Sequence, residues 1–296
     1  MISTNHHYIP KLYLNGFTSS NGRIQVYNKL FSKFEPDKHT PRTVFFEKNK
    51  NTIRFNGVKT DKIEQMYGTI ESGFGELFNL IRGTLHNDEL ISEYGLYLIK
   101  LYISVQFWRL PLTDNLSEYY IDKVDLKRFG ERITINGVPL GEVKEIRELL
   151  KHDKGFRHYF RCFFLPLLTF DTNVNNDEFD NWKIFDVSVD SGKWDNFLCS
   201  DNPLIVENIE QMFKFKTKLI MPLSKTKLLT YTPNKLKDSG IEPIFSTKLA
   251  MLTYAQTIKY VAGANRPFME EIIDIYNRRY GVSKINKLRE EVFSFV

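Results

Sequence analysis

Four groups of residues in this chain carry side chains able to do chemistry. The first is His6-His7-Tyr8, close to the start. Imidazole can ligate a metal or move protons near neutral pH. On an extended segment, adjacent side chains point to opposite sides, so at most one of the two histidines faces a given site. The second is Glu64 with Glu71, seven apart, which places them two turns along one face of a helix. Such carboxylates can bind a cation or act as a base. The third is Gln106 with Arg109, at i and i+3. Arginine forks onto carboxylate or phosphate. The fourth is Ser200-Asp201-Asn202-Pro203, a polar tetrad between two apolar stretches.

Each group also has a plainer reading. A histidine near a terminus can be flexible or bonded to backbone. Glu64 and Glu71 can sit on a solvated face, with Met66, Ile70 and Phe74 on the stripe opposite. Arg109 can cap helix carbonyls or pair with Glu64 or Glu71. Asp201 and Asn202 can bond their own backbone in a tight turn. Several standard signatures are absent: a Gly-rich phosphate loop, G-x-G-x-x-G, H-E-x-x-H and G-x-S-x-G. P-loop nucleotide hydrolysis, zinc proteolysis of that type and α/β-hydrolase chemistry lose support accordingly.

The elements that must position these groups follow from periodicity. Pro10–Phe17 reads as a short helix with Pro10 in its first turn. Arg23–Tyr27 and Phe31–Glu35 read as a hairpin, and 36–60 as loop with short extended pieces and a turn at Asn56-Gly57. From Thr60 to Arg82, apolar residues recur at three and four, which predicts an amphipathic helix. Asp88–Arg109 reads as a second long helix, apolar nearly all round and therefore buried, stopped by Pro111. Helices near 114–128, 142–152 and 154–169 follow, with a small hairpin at Arg132–Leu140.

The second half turns to short strands: Trp182–Val189, Asn196–Cys199, Leu204–Val206, Leu219–Met221 and Lys227–Tyr231. Helices at Thr247–Ala262, Pro267–Tyr280 and Ser283–Val292 close the chain. The order predicts an α+β fold, with long N-terminal helices packed on a mainly antiparallel sheet and closing C-terminal helices. The expected organisation is one domain over 1–296, or two intimately packed subdomains dividing near residue 170.

With 42% hydrophobic and 26% charged residues among 296, the chain can build a sizeable core. A net charge of +5 permits contact with phosphates without demanding it. Two cysteines, Cys162 and Cys199, rule out both a disulfide framework and a four-cysteine zinc site. No apolar run reaches the ~18 residues of a membrane span. The first residues lack an apolar signal core, so the expected location is the cytoplasm of a bacterium-like cell.

Taken together, His6-His7-Tyr8-Ile9-Pro10 followed by Leu14 and Phe17 resembles the opening of bacterial domain-of-unknown-function family 4238. Downstream, Glu64 with Glu71, Gln106-x-x-Arg109-x-Pro111, Ser200-Asp201-Asn202-Pro203 and Pro222-Leu223-Ser224 resemble its later motifs in the same order. The likeness runs from His6 to about Tyr280. It implies no settled reaction, but it groups the scattered residues into one expected site.

The reading that follows is a hydrolase of nucleic acid or nucleotide, in a setting such as phage defence. His7 would be general base or metal ligand. Glu64, Glu71 and Asp201 would hold a divalent cation or position water, and Arg109 would steady phosphate charge. His6, Tyr8, Gln106, Ser200 and Asn202 would be accompanying binding residues. The rival is a non-catalytic ligand-sensing or protein-interaction module whose polar cluster is structural. Substrate, metal and oligomeric state stay open.

Overall fold

The long apolar periods become helices and the short ones become strands of small sheets. The computed structural model describes residues 4–37, 39–55, 58–83, 91–126, 134–135, 137–139, 143–187, 197–234 and 242–296. The expected turn at Asn56-Gly57 and the start of the second long helix at Asp88 lie outside them.

In chain order, β1 (Asn5–His7) leads into α1 (Lys11–Leu14), which continues as a 3-10 turn over Asn15–Phe17. The hairpin β2 (Gln25–Asn28) and β3 (Lys33–Phe34) follows, then β4 (Phe46–Lys48), β5 (Ile53–Phe55) and β6 (Val58–Thr60). Two long helices, α2 (Lys62–Gly83) and α3 (Glu93–Arg109), come next. α2 buries Ile63, Tyr67, Phe74, Leu77, Phe78 and Ile81, the stripe its spacing predicts. α3 starts later than expected because Ser92 caps it, its side chain accepting the Gly95 N–H at 3.2 Å. It is buried around most of its circumference, and Leu110-Pro111 ends it.

Then come α4 (Asp114–Lys123), the small pair β7 (Thr134–Ile135) and β8 (Val138–Pro139), α5 (Lys144–His152) and α6 (Lys154–Thr169). The strand-rich part holds β9 (Trp182–Asp186), β10 (Cys199–Ser200), β11 (Ile205–Val206), a short α7 (Ile209–Met212), β12 (Leu219–Pro222) and β13 (Lys227–Tyr231). The chain closes with α8 (Pro243–Gln256), β14 (Tyr260–Gly263), α9 (Arg266–Arg279) and α10 (Ile285–Phe293).

Strand pairing is antiparallel throughout the described residues. One four-stranded sheet has the order β11-β12-β13-β9 and the other β10-β14-β2-β3. The second draws its strands from both ends of the chain, so the N-terminal hairpin is built into the C-terminal part. Helices in blocks beside separate antiparallel sheets make this an α+β fold.

One expected element is corrected. Thr247–Ala262 is not a single helix: α8 stops at Gln256 and Tyr260–Gly263 is a strand. The Asp201 carboxylate accepts the backbone N–H groups of Ile258, Lys259 and Tyr260 at 2.9, 2.5 and 3.0 Å. The Lys29 ammonium donates to the carbonyls of Tyr254, Ala255 and Thr257 at 3.1, 2.7 and 2.8 Å. Between them they satisfy the groups that a continuing helix would have paired. Among the described residues, no helix is long and apolar enough to cross a membrane.

Candidate functional site

The opening segment Asn5–His7 is a strand. β1 pairs with β4, placing His6 opposite Glu47 and His7 opposite Phe46. The two-residue period of a strand sends the imidazoles to opposite sides, and both are buried. His6 Nδ1 accepts the Asn51 backbone N–H at 2.7 Å. His7 lines a cavity of about 310 Å³ with Glu64, Tyr67, Glu71 and Arg109. Asn5, Lys11, Arg42 and Gly68 complete its wall.

Helix spacing assembles one side of this cavity. Glu64, Tyr67, Gly68 and Glu71 follow i, i+3, i+4, i+7 along α2, so they share a face. Arg109 reaches them from the last turn of α3. Its Nη1 donates to Glu71 Oε1 at 2.6 Å, and its guanidinium lies over the Tyr67 ring at 4.1 Å from the centroid. Burial works against the Arg109 charge, but Glu71 and Tyr67 outweigh it and hold the guanidinium firmly protonated. The next polar residue back on α3, Gln106, donates from Nε2 to the Tyr8 carbonyl at 3.0 Å and so ties α3 to β1. Tyr8 itself is buried, and its phenol is pushed upward mainly by burial and next by Asp201.

His7 is held neutral. Burial pushes its imidazole down to about 4, and Lys11 and Arg109 add to the effect; Glu71 and a hydrogen bond to the Arg42 backbone oppose it. His7 Nε2 is buried and has no hydrogen-bond partner among the described residues. Arg109 Nε, Gln106 Oε1 and the Tyr102 hydroxyl are likewise buried with no hydrogen-bond partner among the described residues. Tyr102 is within electrostatic reach of Arg109 and Glu71. Of these residues His7 and Arg109 line the cavity, and unpartnered buried polar atoms are rare in folded proteins.

The charge in the wall is lopsided. Lys11, Arg42 and Arg109 are three cations against the two carboxylates Glu64 and Glu71. Glu71 is engaged by Arg109, and Glu64 Oε1 accepts the Asn51 Nδ2–H at 2.5 Å. Neither Lys11 nor Arg42 makes a side-chain ion pair among the described residues. The site can therefore take an anion beside a neutral base.

Behind Glu64, Asn51 links α2 to the opening strand and to α6. This residue is buried and uses three groups at once: its N–H on His6, its Nδ2 on Glu64, and its Oδ1 against His158 Nε2 at 2.9 Å. Burial, then Arg161 and Lys50, push His158 down to about 4 as well.

The fourth group lies elsewhere. Ser200, Asp201 and Asn202 do not line this cavity. Ser200 Oγ donates to the Asn202 carbonyl at 2.8 Å and accepts the Asn202 N–H at 3.1 Å, a self-bonded turn. Asp201 is spent on the three amides that end α8; burial raises its carboxyl and those amides pull it back.

Glu64, Glu71 and Asp201 thus do not converge as metal ligands. Among the described residues, no three His, Cys, Asp or Glu side chains form a metal-holding group. Sequence reasoning also passed over Lys11, Arg42, Tyr67, Asn51 and His158. Tyr67 was visible as the i+3 neighbour of Glu64. Arg42 and Asn51 lie in loop and carried no signal.

A family model described as "Protein of unknown function (DUF4238)" matches residues 5–266, and the chain belongs to that family. No curated protein and no solved structure matches it.

Proposed function

We propose that this member of the DUF4238 family is a hydrolase of phosphodiester bonds in a nucleic acid or nucleotide, with His7 as general base. The observation that carries the reading is the unpartnered Nε2 of a neutral His7 in a cavity where three cations outnumber two carboxylates. Arg42 and Lys11 would draw the phosphate in, and Arg109, fixed by Glu71 and Tyr67, would meet the charge that builds on its oxygens. Nε2 takes a proton from water as the water oxygen bonds to phosphorus. The bond from phosphorus to the leaving oxygen breaks, and the imidazolium returns the proton to that oxygen, giving a monoester and an alcohol. A ring held near 4 is by itself a weak base. A phosphate beside it stabilises imidazolium and raises it toward the working range. No step requires a metal. Asp201, with its tetrad, belongs in this reading to the frame rather than to the reaction.

The test is hydrolysis of bis(p-nitrophenyl) phosphate and of a single-stranded oligonucleotide by wild type and His7→Ala. Loss of a general base should cost about 10²- to 10⁴-fold in rate. Equal rates would sink the proposal. A second reading, a non-catalytic ligand-sensing module, draws on Glu64 and Glu71 both being engaged by protein partners. It expects saturable anion binding with no turnover by wild type.

A further inference from the structure

A second concavity lies beside the first turn of α2. It is about 600 Å³ and is bounded by the β5–β6 hairpin and the start of α6, with Ile53, Arg54, Lys59, Lys62, Phe156 and Tyr159 in its wall. Its lining holds three cations and no carboxylate. Among the described residues none of these cations makes an ion pair.

Arg54 and Lys59 stand directly opposite each other across the hairpin. Like charges in that position destabilise a two-stranded ribbon, and an anion between them would reverse the sign. On the other wall, the rings of Phe156 and Tyr159 lie 6.3 Å apart and within 23° of parallel. Cations that track a backbone beside flat rings that accept any base are the two components of single-strand recognition.

The two openings flank one helical turn. Lys62 lines this groove and Glu64, two residues on, lines the His7 cavity. Helical spacing places those residues on nearly opposite sides of α2, about one helix diameter or ~10 Å apart. A few nucleotides span that distance.

We infer that the hairpin–α6 groove binds single-stranded nucleic acid, with a base stacked on Tyr159 and Phe156 and its phosphates on Arg54, Lys59 and Lys62, feeding the strand toward the His7 cavity. The inference rests on the phosphodiester reading of that cavity for what happens to the strand, but not for its binding.

Fluorescence anisotropy of labelled oligothymidylate with the full chain tests it. Wild type should bind, and Tyr159→Ala should weaken binding about tenfold or more. Because Tyr159 also packs on Phe163 and Phe164, a second variant keeps the test independent of folding. Lys59→Glu, at an exposed position, should weaken binding and flatten its dependence on salt. Oligothymidylate that does not bind wild type, or that binds Lys59→Glu as it binds wild type, overturns the groove. Failure of the cavity reading looks different: oligothymidylate binds in a Lys59-dependent way while wild type and His7→Ala hydrolyse nothing. In that case the groove stands without the reaction.

Discussion

Acidification should destabilise this protein through two named histidines, and one substitution should remove half of that effect. The ordinary imidazole value is 6.5, and burial brings both His7 and His158 down to about 4. The folded values lie below the unfolded ones. Between pH 6.5 and 4 the unfolded chain therefore binds protons that the folded chain refuses. Neither ring affects stability above about pH 6.5. Stability then falls as pH falls, and the penalty is complete below about pH 4. At pH 5 each ring should cost about 2 kcal/mol, and the full span about 3 kcal/mol each. The assay is urea unfolding at pH 7.5 and pH 5.0 for wild type and His7→Gln. Carboxylates titrate alike in both proteins, so the difference isolates His7. Wild type should lose about 2 kcal/mol more than the variant between the two conditions. Equal losses would show that His7 is not held neutral by the fold, and the base assigned to the cavity would go with it.

Three further outcomes are expected. Arg109→Met leaves Glu71 uncompensated and should cost about 3–5 kcal/mol in urea unfolding, with much of that recovered in the Arg109→Met/Glu71→Leu double variant. Asp201→Asn should destabilise by about 1–3 kcal/mol, because an amide meets three backbone N–H donors less well than a carboxylate. It should leave turnover per folded molecule close to wild type, and a large loss in kcat at full folding would return Asp201 to the reaction. Asn51→Ala removes the side-chain bonds to Glu64 and His158, and should lower thermal stability while raising the KM for a phosphodiester more than it changes kcat.

Much of this arrangement was legible in sequence where the chain repeats a period over many residues. α2 and α3 announce themselves through apolar spacing, and with them the pairing of Arg109 with Glu71. The strand β1 did not, since three residues are too few to carry a period and its partner lies some forty residues on. The α8–β14 boundary was invisible for a different reason. Val261 and Ala262 continue an apolar pattern that suits a helix, and what stops the helix is distant: Asp201 and Lys29 take its amides and carbonyls. The same non-locality explains why Asp201 looked like a member of the site. A polar residue in a tight turn reads alike whether it faces a ligand or backbone. Lys11 and Arg42 are single cations in otherwise ordinary segments, and only the fold brings them to His7.

The central claim is that His7 keeps Nε2 unprotonated, as a base for water, beside an anion in the cavity. Nitrogen-15 NMR of the His7 ring at pH 7, with inorganic phosphate titrated in, reads this directly. The account predicts an unprotonated Nε2 at the outset. It predicts a saturable shift with phosphate, an imidazole value that climbs from about 4, and loss of the shift in Arg42→Ala. A proton on Nε2 in the free protein, or a ring indifferent to phosphate, would contradict it.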